Sequence, residues 1–130
     1  MTTSHTRSDP AVSPYLYYED GDAAIDWLVR VFGCRERLRV PKPDGRFGHG
    51  EVEIGGGVVM LGSPPGFRRA DRSYFGVYVH VDDVDGHVAR ARTEGATITD
   101  EPADKPYGER IYGALDLEGN QWWFAQPLAS

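Results

Sequence analysis

Runs of period-two alternation between apolar and polar positions are interrupted twice by segments whose apolar residues recur near every 3.6 positions. That is the pattern of strands broken by two amphipathic helices. Residues 14–18, Pro-Tyr-Leu-Tyr-Tyr, read as a strand. Asp20-Gly21-Asp22 then supplies turn and N-cap residues ahead of Ile25, Leu28, Val29 and Phe32. Those four share one helix face, and Gly33 is the stop. Residues 36–40 and 47–54 read as strands joined by the turn Pro43-Asp44-Gly45, and Gly55-Gly56-Gly57 turns into a strand over 58–61. The order then recurs. A strand over 74–81 precedes a helix that is capped by Asp82-Asp83, carries Val84, Val88 and Ala91, and ends at Gly95. A short strand over 96–99, a Pro-rich loop over 101–108, a strand over 110–117, the turn Glu118-Gly119-Asn120 and a strand over 121–125 complete it.

A shift of 63 positions lays Tyr15 on Tyr78, Leu16 on Val79, Met60 on Trp123 and Leu61 on Phe124. The helices align with a shift of one less, Gly33 on Gly95. The chain therefore reads as a tandem of two β-α-β-β-β modules, and an internal repeat constrains a fold more than any single motif. Residues 1–12 are expected to form a flexible tail, 13–62 the first module, 63–73 a linker and 74–126 the second, within one domain over 13–130.

Composition narrows the class. With 130 residues the chain is one domain, and each half is a size at which folding alone is marginal, so the halves are expected to share a sheet. The proportions exclude a collagen-like, disordered or coiled-coil protein. No apolar run exceeds a few residues, so a bilayer span is not expected. Cys34 is the single cysteine and can form neither an internal disulfide nor a Cys-based zinc site. With no secretory pattern at the N-terminus, a cytoplasmic location is the expectation. A formal charge of -6 disfavours nucleic acid as a partner, and the basic cluster of Arg68, Arg69 and Arg72 reads as a solvated loop.

Several segments carry a resemblance. Residues 20–28, Asp-Gly-Asp-Ala-Ala-Ile-Asp-Trp-Leu, with Phe32-Gly33, resemble the first half of the vicinal oxygen chelate superfamily. Residues 79–85, Gly95-Ala96 and 116–120 resemble its second half. This superfamily comprises glyoxalase I, extradiol dioxygenases, fosfomycin-resistance enzymes and bleomycin-resistance proteins. The resemblance spans about residues 13–128 and implies an α+β fold, with tandem β-α-β-β-β modules forming a curved mixed sheet around a cavity, often in a homodimer. The four metal positions it implies fall at Ser13, Met60, Gly76 and Trp123, none of which offers a histidine or carboxylate. The expectation is therefore no metal and no cofactor. A different set, His49, Glu51 and Glu53 with His80 nearby, alternates along one strand and could chelate an ion, but such alternation is the ordinary pattern of a half-exposed strand, which is the preferred reading.

Alternation separates two faces. Leu16, Val52, Ile54, Val59, Leu61, Val77, Val79, Val81, Trp122 and Phe124 are expected to pack beneath the helices. Tyr15, Tyr17, His49, Glu51, Glu53, Met60, Tyr78, His80, Tyr112, Gln121 and Trp123 are expected to line the cavity. Aromatic faces attract flat or cationic groups, and Glu51 and Glu53 are expected to add negative potential. The ligand contacts proposed are Tyr15, Tyr17, His49, Glu51, Met60, Tyr78, His80, Tyr112 and Trp123. Tyr15 and Tyr17 are of a kind found more often as packing or dimer-interface residues than as ligand contacts. Trp27 reads as core, Asp82, Asp83 and Asp85 as charges opposing the helix dipole, and His87 as a solvated helix residue. His5 belongs to the tail, and Cys34 lacks an activating partner.

Three functions follow, in order of preference. The first is a metal-independent protein that binds a small aromatic or cationic molecule, as in antibiotic sequestration. The second is a metal-independent isomerase, lyase or hydrolase, with His80 or Glu51 as general base and Tyr112 or Arg110 steadying negative charge. The third is a metal-dependent glyoxalase or dioxygenase.

Overall fold

The Asp20 carboxylate accepts the amide of Ala23 at 3.0 Å and so starts the first helix, α1, over Gly21–Trp27. A π-helical turn, Leu28–Phe32, continues it, and Gly33 ends it at φ 76, a left-handed position that suits glycine. The wider turn moves the apolar face by a residue, so Val31 is buried where the spacing had favoured Val29, which is only half-buried. The computed structural model describes residues 10–69 and 75–129. Residues 1–9 of the expected tail, with His5, and also Arg72 and Tyr74, lie outside them.

The strands are β1 (Tyr15–Tyr17), β2 (Arg35–Pro41), β3 (Phe47–Ile54), β4 (Gly57–Gly62), β5 (Gly76–His80), β6 (Thr97–Asp104), β7 (Glu109–Leu115) and β8 (Gln121–Pro127), with the second helix, α2, over Val84–Thr93. They form two mixed sheets of four strands, ordered β1-β4-β3-β2 and β5-β8-β7-β6, rather than one shared sheet. Each opens on a parallel pair, and the registers confirm the repeat: Tyr15 lies opposite Met60 as Tyr78 lies opposite Trp123. β6 runs five residues further than expected, through Pro102. It is the outer strand of its sheet and has register shifts on both sides of Asp100, where a missing N–H interrupts little.

One core spans both modules. Leu61, Val59, Val52, Phe124 and Trp122 pack with Phe32 and Ile25 beneath the helices, as the alternation predicts, and Trp27 packs against them. Phe32 of module 1 meets Phe124 at 4.8 Å and Trp122 at 5.3 Å between ring centroids. The buried Asp116 carboxylate ties the modules: it accepts the Tyr18 hydroxyl at 2.6 Å, the Trp122 indole N–H at 3.0 Å and the Asn120 amide N–H at 3.0 Å. Arg69 donates to the Tyr17 carbonyl and to Asn120 Oδ1, so this member of the basic cluster is a junction residue, not a solvated one. Among the described residues, no helix is long and apolar enough to cross a membrane.

Candidate functional site

The helices cover one face of each sheet and leave the other open. In the first sheet, Tyr15, Met60, Glu51 and Leu38 stand in one cross-strand row on that open face. Tyr15 lies across Gly62, whose absent side chain makes the room: a Cβ there would sit 2.9 Å from the ring. The Tyr15 hydroxyl thereby reaches His49 Nδ1 at 3.1 Å, and His49 Nε2 lies 2.9 Å from Glu51 Oε2. Arg37 Nε stands 3.4 Å from the other oxygen of Glu51, and Arg35 pairs with Glu53. Both carboxylates expected to give this face a negative potential are therefore balanced by arginines from β2. The paired Glu51 is also a poor candidate base.

In the second sheet, Tyr78, Trp123 and Gly113 form the equivalent row. The Trp123 indole lies across the sheet between two glycines. A Cβ on Gly76 would be 3.4 Å from its pyrrole edge, and one on Gly113 would be 2.7 Å from its benzene edge. Beside it, Glu109 accepts the Tyr78 hydroxyl on one oxygen and faces His80 Nε2 at 2.6 Å on the other. Partial burial and this hydrogen bond push the Tyr78 phenol up to about 12. Tyr78 and His80 hold the Glu109 carboxyl below its ordinary value. His80 Nδ1 is left available on an exposed ring.

Between the free edges of β1 and β5 runs a cleft in two adjoining parts that share Pro14 and Val77. One, of about 420 Å³, is walled by Tyr15, Tyr17, Phe67 and Phe75, with Arg69, Asn120 and Gln121 among its polar lining. The other, of about 200 Å³, reaches Tyr78 and His80.

Most of the expected contacts gather on these open faces: Tyr15, Tyr17, His49, Glu51 and Met60 on one, Tyr78, His80 and Trp123 on the other. Tyr112 does not. Antiparallel pairing sets it opposite Phe124, so it is fully buried, stacked on that ring at 5.2 Å and removed from any ligand or oxyanion role. Its hydroxyl meets His87 Nδ1 at 2.5 Å, while His87 Nε2–H donates to the Phe32 carbonyl at 2.7 Å. His87 is thus a half-buried clamp between modules rather than a solvated residue, and burial lowers its pKa. The signal was its position three residues after Val84 and four before Ala91, on the apolar face. Arg110 is held by Asp85 of α2 at 3.0 Å and Asp104 at 2.9 Å, on the helix-covered side of the sheet with Tyr112, which removes it as a stabiliser of developing charge. Asp83 caps α2 as expected. Burial pushes the Cys34 thiol up to about 12, which fits its reading as no nucleophile.

An open cleft of about 640 Å³ at the module junction is lined by His87 and Arg90 and, at its other side, by His80 and Asp82. Both nitrogens of His87 are engaged, and Arg90 donates to the carbonyls of Val29 and Arg30. Glu109 is the site residue the sequence reading missed, and no spacing along the chain points to it.

The metal implied by the resemblance does not fit. Met60 and Trp123 lack hard donors, Gly76 has no side chain, and the Trp123 ring packs against it. His49, Glu51 and Glu53 are committed to one another's partners as described, and among the described residues no group of three His, Cys, Asp or Glu could hold an ion.

Comparisons with known proteins agree with this architecture. TioX from Micromonospora sp. ML1 superposes with a TM-score of 0.75 at 38% identity, over 93% of this chain and 98% of that one. An uncharacterised protein of Mycobacterium bovis is 34% identical over 129 residues, covering 92% of this chain and 85% of its own length. A lactoylglutathione lyase from Agrobacterium tumefaciens shares the fold, with a TM-score of 0.67 at 21% identity, over 90% of this chain and 94% of the lyase. The family model for the Glyoxalase/Bleomycin resistance protein/Dioxygenase superfamily matches residues 5–124, and the chain belongs to that superfamily.

Proposed function

We propose that this protein binds a small planar aromatic molecule without metal, in the cleft between its modules. The observation that carries the reading is Trp123, laid across the second sheet over Gly76 and Gly113, with the half-exposed ring of Tyr78 paired beside it and those of Tyr15 and Tyr17 lining the cleft from the first sheet. A flat aromatic surface of this kind is stabilised by an offset-stacked ring, and each such pair contributes about 0.5–1.5 kcal/mol beyond area burial. A cationic ring gains further from the quadrupoles of these faces. The preference for cations rests on Glu109 rather than on Glu51 and Glu53, which arginines neutralise. A protein that holds such a molecule unchanged acts by sequestration, for which heteroaromatic antibiotics are suitable candidates. The exposed Leu38 and Val40, in the same cross-strand rows as Tyr15 and Tyr17 but at the opposite edge of the open face, support a homodimer in which two open faces meet, which light scattering at micromolar concentration tests. We assign the cytoplasm as its place of action.

Titration of proflavine, 9-aminoacridine and anthracene-2-carboxylate, read by melting temperature and calorimetry, tests the reading. Saturable binding of the two cations, weaker for the acid, is expected. No heat and no thermal shift with any planar compound would overturn it.

A second reading is favoured by one feature, the exposed Nδ1 of His80 with Glu109 behind Nε2. This is the arrangement of a general base with its orienting carboxylate. If a bound compound is turned over, His80→Ala abolishes turnover without lowering the melting temperature. Unchanged turnover in that variant removes the reading.

A further inference from the structure

The direction of the hydrogen bonds at the cleft restricts what a ligand can offer. At Glu109 both contacts are fixed by the carboxylate, which has only lone pairs to give. Tyr78 must donate its hydroxyl proton to one oxygen and His80 its Nε2 proton to the other. The outward atoms that remain, Tyr78 Oη and, in the tautomer with its proton on Nε2, His80 Nδ1, are acceptors. The same logic holds across the cleft. Glu51 fixes the proton of His49 on Nε2, so His49 Nδ1 accepts, and the Tyr15 hydroxyl spends its proton there at 3.1 Å. Tyr15 Oη is then an acceptor too. Two different networks, on two modules, turn the same way.

We infer that the cleft selects planar aromatic molecules bearing hydrogen-bond donors, such as phenols, arylamines and indoles, over counterparts that carry only acceptors. The inference rests on the aromatic-ligand reading above and adds its polarity. A donor on the ligand edge is met by Tyr15 Oη, Tyr78 Oη or His80 Nδ1. An ether, carbonyl or carboxylate at that edge faces lone pairs and leaves its own acceptor and theirs without protons, a mismatch more costly than a missing bond. Trp123 supplies a ring face, with its donor edge turned toward Gly76. Tyr17, exposed at its rim, can act in either sense and weakens the discrimination, and Arg69, Asn120 and Gln121, which line the larger part as well, direct donors to Asn120 Oδ1, the Tyr17 carbonyl, Asp116 and Thr99.

Matched pairs test this. The dissociation constants of 2-naphthol and 2-methoxynaphthalene, and of indole and 1-methylindole, are measured by calorimetry on the full chain near neutral pH. The donor of each pair is expected to bind about five- to tenfold tighter, as one or two recovered hydrogen bonds imply. In the double variant Tyr15→Phe, Tyr78→Phe, which keeps both rings and removes both oxygens, the ratio is expected to fall below about threefold. In Glu109→Gln the ratio is expected to fall as well, because an amide leaves a Tyr78 or His80 proton unclaimed. Equal affinities within both pairs, or a ratio untouched by the double variant, would overturn the inference while leaving aromatic binding in place. Failure of all four compounds to bind would overturn the aromatic reading itself.

Discussion

Tyr15 and Tyr78 occupy the same place in the two modules, yet different groups stand behind them. On the first sheet the order is tyrosine, histidine, carboxylate, arginine, and both nitrogens of His49 are engaged. On the second, one carboxylate takes tyrosine and histidine together, while Arg110, the next residue, turns to Asp85 and Asp104 instead. The cause is where the glutamate sits: Glu51 lies two residues from His49 on β3, whereas Glu109 comes from β7, two strands away from His80. One scaffold thus makes a neutral, locked face and an anionic one with an available imidazole. A duplicated fold fixes where side chains stand, and the neighbouring strand decides their protons and charge.

The broadest way to break the comparison is to cut what joins the modules. Asp116→Ala strands the Tyr18 hydroxyl, the Trp122 N–H and the Asn120 amide in the interior. A loss of roughly 3–5 kcal/mol in urea unfolding is expected, with one transition seen alike by tryptophan fluorescence and circular dichroism. Two separated transitions would mean that the modules fold independently and that their faces need separate accounts.

Next comes ligand affinity. Trp123→Ala is expected to weaken proflavine binding about thirtyfold or more, and Tyr15→Ala about fivefold, since the second face carries both the larger ring and the unbalanced carboxylate. Equal losses would make the two faces equivalent.

The glutamates sharpen the contrast further. Glu51→Gln removes a nearly buried partner of Arg37 and His49 and is expected to destabilise the fold by about 1–2 kcal/mol. Glu109→Gln is expected to leave the melting temperature unchanged and to alter ligand preference alone. A reversed outcome would exchange the structural and functional assignments.

The smallest effect is in pH dependence. Burial lowers the pKa of His87 in the folded state, so the unfolded chain binds its proton first as pH falls. Stability is expected to be full above about pH 6.5 and to decline below it, toward the depressed folded value. His87→Gln should flatten that part of the stability curve, and an unchanged slope would show that the clamp does not titrate in this way.

Much of the fold was legible because the repeat, the caps and the alternation are local. Tyr15 over Met60 and Tyr78 over Trp123 follow from a shift along the chain. Tyr112 and Glu109 were not legible, because which face they take depends on the register of β7 against β8, set by the turn that Asp116 organises. Counting alternation along one strand cannot transfer a face to the next. His87 was legible in principle: its helical spacing from Val84 and Ala91 outweighs its polarity once a tyrosine and a carbonyl satisfy both nitrogens. The charge of the first face was not legible because its balancing arginines come from the neighbouring β2, where a register shift beside Leu38 sets Arg37 against Glu51.

The central claim, an aromatic ligand on the Trp123 floor, is tested most directly by tryptophan fluorescence during a proflavine titration of the protein and of Trp123→Phe. Trp122 is buried and Trp27 is packed against the core, so the account predicts saturable quenching in the protein and loss of most of that amplitude in the variant. Absence of saturable quenching in the protein, or the same amplitude in both, would contradict it.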